Sequence, residues 1–278
     1  EAPEKWLGLS LGDFGGGLDS TRSGIVYLSE TISEITYQKS PTKFKEKITA
    51  SKVSGKDNGP SFNRAEDANI NFYENSVELG NDLISPLSSN AFSYYRFKLI
   101  GTFYAKNGKL INKIKLLPKR KNDPVFSGSI YIVEDDWAIY GADVTVTGAQ
   151  VNFPAIDLLS LKQGYNYSEE NDSWVLISQT IEFQINFLMW KFDGKFSSAY
   201  SNYNFTPKIN IGTFSNEVLA FAKEATKKDD VYWREIRPVP LTADEVKDYS
   251  IKDSIKLVRK SKKYLDSINK KQNKLNRR

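Results

Sequence analysis

Along most of this chain apolar and polar positions alternate with a period of two. Tyr95, Phe97 and Leu99 stand against Arg96 and Lys98, and Ile181, Phe183 and Ile185 against Glu182, Gln184 and Asn186. This period sends successive side chains to opposite faces of a β-strand, one apolar and one wet. Runs of this type cover 25–37, 43–54, 92–105, 109–117, 126–133, 137–147, 157–167, 174–186 and 191–203, about nine strands in all. The breaks between them are short and polar. Asn107-Gly108 is a hairpin signal and Glu134-Asp135-Asp136 a tight turn, so strands adjacent in sequence are expected to be adjacent in a meander.

Outside the strand runs the pattern changes. Residues 1–24 hold Gly8, Gly12, Gly15, Gly16, Gly17 and Gly24, too much backbone freedom for a regular element, and read as a flexible Gly-rich lead-in. Residues 55–91 are polar, with a short helix expected at 65–73, and are placed to cross or cover the sheet. After Pro238 and Pro240, Thr242 and Glu245 form a capping-box pattern that opens a helix running to about Asn269. Its apolar stripe, Ile251, Val258 and Leu265 with Ile255, is thin, so only partial docking is expected. The chain therefore divides into the lead-in 1–24, an antiparallel β domain 25–237, and a Pro-containing linker with a basic C-terminal helix and tail, 238–278.

Composition supports a core and removes much chemistry. The chain has 278 residues, 40% hydrophobic and 13% aromatic, which suits half-buried pleated surfaces. It contains no His and no Cys. The usual near-neutral proton carrier, the usual zinc, haem and iron–sulfur ligands, and disulfide staples are therefore all missing. The longest apolar run, around Phe187–Trp190, falls far short of the roughly 20 residues of a spanning helix. No signal peptide is visible at Glu1, as expected of a cytosolic chain or of a mature or excised fragment.

The net charge of +5 is unevenly placed. Residues 256–278 carry ten Lys/Arg against Asp266 alone, a net of +9, which leaves residues 1–255 at −4. The body is mildly acidic and the basicity belongs to the tail, where Lys260, Lys262, Lys263, Lys270 and Lys271 form a candidate patch for an anionic membrane surface. Nucleic-acid binding is not expected, because only Tyr264 interrupts the basic run with an aromatic ring.

Motifs for catalysis do not assemble. Asp13-Phe14-Gly15 lacks the His-containing catalytic loop a kinase needs, and the following glycines lack the Lys-Ser/Thr that closes a P-loop. Carboxylate pairs stand at Glu66/Asp67, Asp135/Asp136, Glu169/Glu170 and Asp229/Asp230, yet glycoside-type hydrolysis needs two acids across a cleft, one of them with a raised pKa. No catalytic, metal or cofactor residues are assigned on this basis. Phe187, Leu188, Met189 and Trp190, the most apolar spot in the chain, are the candidates for lining a lipid or peptide groove.

Several ordered phrases carry a resemblance. Tyr27-Leu28-Ser29-Glu30-Thr31-Ile32-Ser33-Glu34, Lys45-Glu46, Ser51-Lys52-Val53-Ser54-Gly55, Ser85-Pro86-Leu87, Leu117-Pro118-Lys119-Arg120, Phe126–Ile132 and Tyr232-Trp233 leading into Arg237–Thr242 are in this group. With these phrases the chain resembles the central region of a Bacteroidota outer-membrane family of unknown function. The resemblance implies a carboxypeptidase-regulatory-like β-sandwich before this region and an outer-membrane β-barrel after it. It also implies a strongly curved half-barrel sheet like that of periplasmic lipoprotein carriers, with short helices covering the sheet. The resulting expectation is a non-enzymatic domain at the periplasmic face of the outer membrane, without cofactor, that binds an apolar ligand, a lipoprotein segment or an envelope protein partner. The alternatives are a structural adapter for the barrel and, third, a carboxylate hydrolase.

Overall fold

The computed structural model describes residues 5–6, 9–10, 25, 27–54, 64–187, 190–208, 213–214 and 218–261. In chain order the first strands are β1 (Lys5–Trp6), β2 (Leu9–Ser10), β3 (Ser29–Gln38), β4 (Lys43–Val53), β5 (Ser76–Glu78) and β6 (Asp82–Ile84). They are followed by β7 (Tyr95–Tyr104), β8 (Leu110–Pro118), β9 (Ser127–Val133), β10 (Ile139–Thr147), β11 (Ile156–Ser168), β12 (Ser173–Phe187), β13 (Trp190–Ala199) and β14 (Leu219–Phe221). The helices are α1 (Ala91–Tyr94), α2 (Asp230–Ile236) and α3 (Ala243–Lys260). The protein is mainly β and mainly antiparallel. Each of the nine alternating runs overlaps one of the long strands, with ends that differ by a few residues.

The chain folds as two compact units, 70–208 and the pairing of 1–69 with 209–278. The sequence pattern points instead to one β domain over 25–237, because alternation marks a strand without marking which sheet it joins.

In unit 70–208, seven strands form one sheet in the order β13-β12-β11-β10-β9-β8-β7, each antiparallel to its neighbour in sequence. Among the described residues the end strands β7 and β13 do not pair with each other, so the sheet is open rather than a closed barrel. The predicted hairpin turn is present: Gly108 takes φ +81°, the left-handed conformation that a tight turn asks of glycine, and its N–H donates to Ala105 O. One sheet face carries Leu116, Ile130, Ala142, Val144, Val146, Leu159, Leu161 and Ile181, all buried. Register puts Ile130 opposite Ala142, Val144 opposite Leu161 and Leu161 opposite Ile181 on that face. The segment 70–91 covers it with Ile70, Phe72, Val77, Leu79, Leu83 and Ala91, as the polar stretch was expected to do. No helix spans 65–73: a single 3₁₀ turn, Glu66–Ala68, is followed by a turn at Phe72–Tyr73 and the β5–β6 hairpin.

In the other unit, β3 and β4 pair antiparallel and β14 adds parallel to β4. Helix α2 is capped by Asp229, whose side chain accepts from Tyr232 N, and it buries Trp233. Helix α3 opens with the predicted capping box: Glu245 N–H donates to Thr242 Oγ1 at 3.3 Å, and Thr242 N–H to Glu245 Oε2 at 2.7 Å. The heptad stripe is not its docked face. Ile251, Ile255 and Val258 are exposed, whereas Asp248, Tyr249 and Lys252 are buried. Lys252 donates to Asp248 at 2.9 Å and to Ile25 O at 2.6 Å, and Ser54 Oγ donates to Asp248 at 2.7 Å.

Candidate ligand groove

A cavity of about 390 Å³ opens within unit 70–208, on the covered face of the seven-stranded sheet. Its floor is Phe97 of β7, Ile114 of β8, and Ile130 and Ile132 of β9. Its opposite wall is Pro86, Leu87, Ser88, Ala91 and Phe92, the connection into α1 and that helix itself. Two lips are open to solvent: Leu87 is 39% exposed and Phe92 78%. Ser88 contributes the lining's one polar side chain, so the walls can bury a nonpolar group and contain no titratable group.

The wall is held off the sheet by a set of short polar ties. Ser85 Oγ donates to Phe72 O at 2.5 Å and accepts from Leu87 N at 3.1 Å. Asn75 Oδ1 accepts from Ser89 N at 3.0 Å. The fully buried Tyr95 is the central post: its hydroxyl donates to Ile84 O at 2.5 Å and accepts from Phe126 N at 3.0 Å. Burial raises the Tyr95 phenol well above the usual tyrosine range, and the Phe126 hydrogen bond only partly opposes this. At the rim, Lys119 Nζ donates to Phe92 O at 2.7 Å, and the Phe92 ring meets Phe97 edge-on with centroids 5.2 Å apart. Leu99 continues the floor's face toward the sheet edge, where it is exposed.

Further along the same face the core turns polar. Gln163 Nε2 donates to Gln179 Oε1 at 2.7 Å and to Ile70 O at 2.8 Å, and Gln163 Oε1 accepts from Tyr165 OH at 3.0 Å. These groups satisfy one another and fix the register of β11 and β12 against the covering segment.

The groove candidates read from the sequence are Phe187, Leu188, Met189 and Trp190. Phe187 ends β12 and Trp190 begins β13, facing each other in backbone register; their side chains, and all of Leu188 and Met189, lie outside the described residues. Lys260 closes α3. Its side chain, with Lys262, Lys263, Lys270 and Lys271, also lies outside the described residues, as does Asp13-Phe14-Gly15. The observed lining was visible as separate fragments: the Ser85-Pro86-Leu87 phrase, the Tyr95/Phe97/Leu99 alternation and the Phe126–Ile132 phrase. Nothing in the sequence indicated that these would meet.

Two members of the carboxylate pairs are held by cations. Asp136 accepts from Lys109 Nζ at 2.8 Å and from the Trp174 indole N–H at 2.9 Å, and both hold its carboxyl below the usual range. Asp230 accepts from Lys52 at 2.6 Å and is likewise lowered. Both shifts run opposite to the raised acid a carboxylate hydrolase requires. Among the described residues no group of three or more acids is placed to hold a metal ion.

Comparison with known proteins is brief. No curated protein matches the chain. No solved structure matches it either. The model of a family of unknown function, DUF5686, matches residues 1–203, and the chain belongs to that family.

Proposed function

We propose that this chain is a non-enzymatic binding domain that holds one apolar chain, an acyl chain or the acylated segment of a lipoprotein, in the groove between β7–β9 and the 86–92 wall. The observation that carries the reading is the groove itself: an apolar floor, an apolar wall and two exposed lips, Leu87 and Phe92. At about 390 Å³ it lies toward the small end of ligand pockets, in keeping with one chain rather than several. The driving force is burial of nonpolar surface.

The sheet is read as a half-barrel. Supporting this are the unbroken seven-strand meander and the register shifts at Leu99/Gly101, Ile139/Gly141 and Gly164/Tyr165, since bulges bend strands and strengthen twist. A place at the periplasmic face of a bacterial outer membrane, next to a β-barrel, rests on the sequence resemblance and fits a carrier of apolar chains. The adapter reading has one observation in its favour: the exposed stripe Ile251, Ile255 and Val258 on α3, which offers a partner a nonpolar strip.

The test is titration of the purified chain with a pyrene-labelled decanoyl amide, beside the double variant Leu87→Asp/Phe92→Asp. Both lips are exposed, so the variant keeps the fold. Saturable one-to-one binding that weakens by roughly 10- to 100-fold in the variant is expected, as the loss of one to two nonpolar side-chain contacts gives about 1.5–3 kcal/mol. Binding unchanged in the variant, or absent from the wild type, refutes the reading.

A further inference from the structure

Past the Ile132 end of the cavity the same sheet face turns polar. In register, Leu99 of β7 lies opposite Ile114 of β8, and Ile114 opposite Ile130 of β9. One step on, the same face is carried by Thr102, Asn112 and Ile132, because alternate residues of β8 and β9 share a face and the register shift between Leu99 and Gly101 takes up the extra residue of β7. Ile132 still lines the cavity, and beside it the floor changes from aliphatic to amide.

Asn112 then ties a carboxylate to this point. Its Nδ2 donates to Glu134 Oε2, and Glu134 N–H donates to Leu110 O at 2.8 Å, which anchors the residue at the end of β8. The nearby cation is already matched, since Lys109 pairs with Asp136 at 2.8 Å. Lys113, on the alternate face of β8, lies over the Tyr131 ring. Among the described residues Glu134 has no ion-pair partner, while Asp135 and Asp136 follow it in the turn. The sheet face just past the cavity is thus negative and supplies hydrogen-bond acceptors.

We infer that the groove selects a single-chain amphiphile with a cationic ammonium head, placing the head at Asn112 and Glu134 and the chain against Ile114, Ile130 and Ile132, and that it discriminates against acyl carboxylates. This inference rests on the groove reading above. An ammonium supplies further N–H donors and the positive charge that Glu134 lacks, an uncharged amide supplies a donor alone, and a carboxylate meets like charge.

The experiment uses three probes with the same tail, dodecylammonium, N-dodecylacetamide and laurate, titrated below their critical micelle concentrations at neutral pH and constant salt. Wild type is expected to bind the ammonium at least tenfold more tightly than laurate, with the amide between them. Glu134→Gln should bring ammonium and laurate to within about threefold and leave the amide nearly unmoved. Asp193→Asn, the same charge change at an exposed site on β13, should preserve the wild-type ranking. Laurate binding as tightly as the ammonium in wild type overturns the head-group assignment, as does a ratio that Glu134→Gln leaves unchanged or that Asp193→Asn changes equally. Failure of all three probes to bind removes the groove reading itself, and the two failures are thereby distinguished.

Discussion

Tyr95→Phe removes one oxygen atom from the post that carries the groove wall, and its cost can be worked from the contacts. The hydroxyl donates to Ile84 O at 2.5 Å and accepts from Phe126 N at 3.0 Å, and both Tyr95 and Phe126 are fully buried. The ring remains in the variant, so no large cavity is created. What is lost is the bond to Ile84, about 1 kcal/mol, and the partner of a buried N–H, about 1–3 kcal/mol. The total is about 2–4 kcal/mol. Hydrogen exchange read by mass spectrometry on peptides from β9 to β12 confines the measurement to this sheet, which matters in a chain with two compact units. At about 1.36 kcal/mol per tenfold, the most protected amides should exchange roughly 30- to 1,000-fold faster. An acceleration below about threefold would refute the reasoning, because it would mean that water or a shifted backbone satisfies Phe126 N–H at little cost.

Three other perturbations test different parts of the fold. Gly128→Ala should destabilise the sheet by more than about 3 kcal/mol, since φ is +130° and an added Cβ would stand 2.8 Å from Val144 Cα and closer still to Asp143 O, both backbone atoms; Gly108→Ala, with open space around it, should cost only about 1–2 kcal/mol in the same exchange assay. Alkali should destabilise the protein: burial raises the phenols of Tyr95, Tyr165 and Tyr203, the last to about 12, so their folded values lie above the unfolded value near 10. The stability linked to these protons is complete below pH 10 and is lost as pH rises through about 12, by up to about 1.4 kcal/mol per pH unit for each phenol, and a single phenolate absorbance step near pH 10 with the fold intact would contradict this. Lys252→Met should cost about 3–5 kcal/mol by stranding the buried Asp248, while the double variant Lys252→Met/Asp248→Leu should recover most of that loss in thermal unfolding.

The strands were legible because period-two alternation follows directly from the pleat, and each long strand falls within a few residues of its run. The turn at Asn107-Gly108 and the capping box at Thr242 were legible for a similar reason, since local chemistry decides them. Partnership was harder. Alternation in 29–53 matches that in 95–118, yet the former pairs with β14 and the latter joins the meander. β14 has three residues and β5 and β6 three each, too short for any period to show. The groove was hidden by the same limit. Its floor is ordinary strand alternation and its wall a Ser-Pro loop, so the site exists only once Tyr95 OH has joined Ile84 to Phe126.

Helix α3 shows where counting hydrophobic residues misleads. The heptad stripe Ile251, Ile255 and Val258 would be the docked face if burial followed hydropathy alone, but these residues are 47%, 37% and 60% exposed. The docked arc is Asp248, Tyr249 and Lys252, at i, i+1 and i+4. Its partners explain the choice. The surface opposite presents the Ser54 hydroxyl and the Ile25 carbonyl, groups that need hydrogen bonds, and Lys52 lies over the Tyr249 ring at 4.6 Å. Arg237 and Glu30 add a bidentate pair beside Tyr249, with Nη2 to Oε1 at 2.7 Å, and burial raises the Tyr249 phenol further than the adjacent guanidinium can offset. An aliphatic face laid there would leave these groups unsatisfied, at about 1–3 kcal/mol for each buried one, whereas an exposed Ile or Val on a helix costs little beyond the burial it forgoes. The docked face of α3 is therefore the one that answers the Ser54 and Ile25 groups, and the aliphatic stripe is left outside.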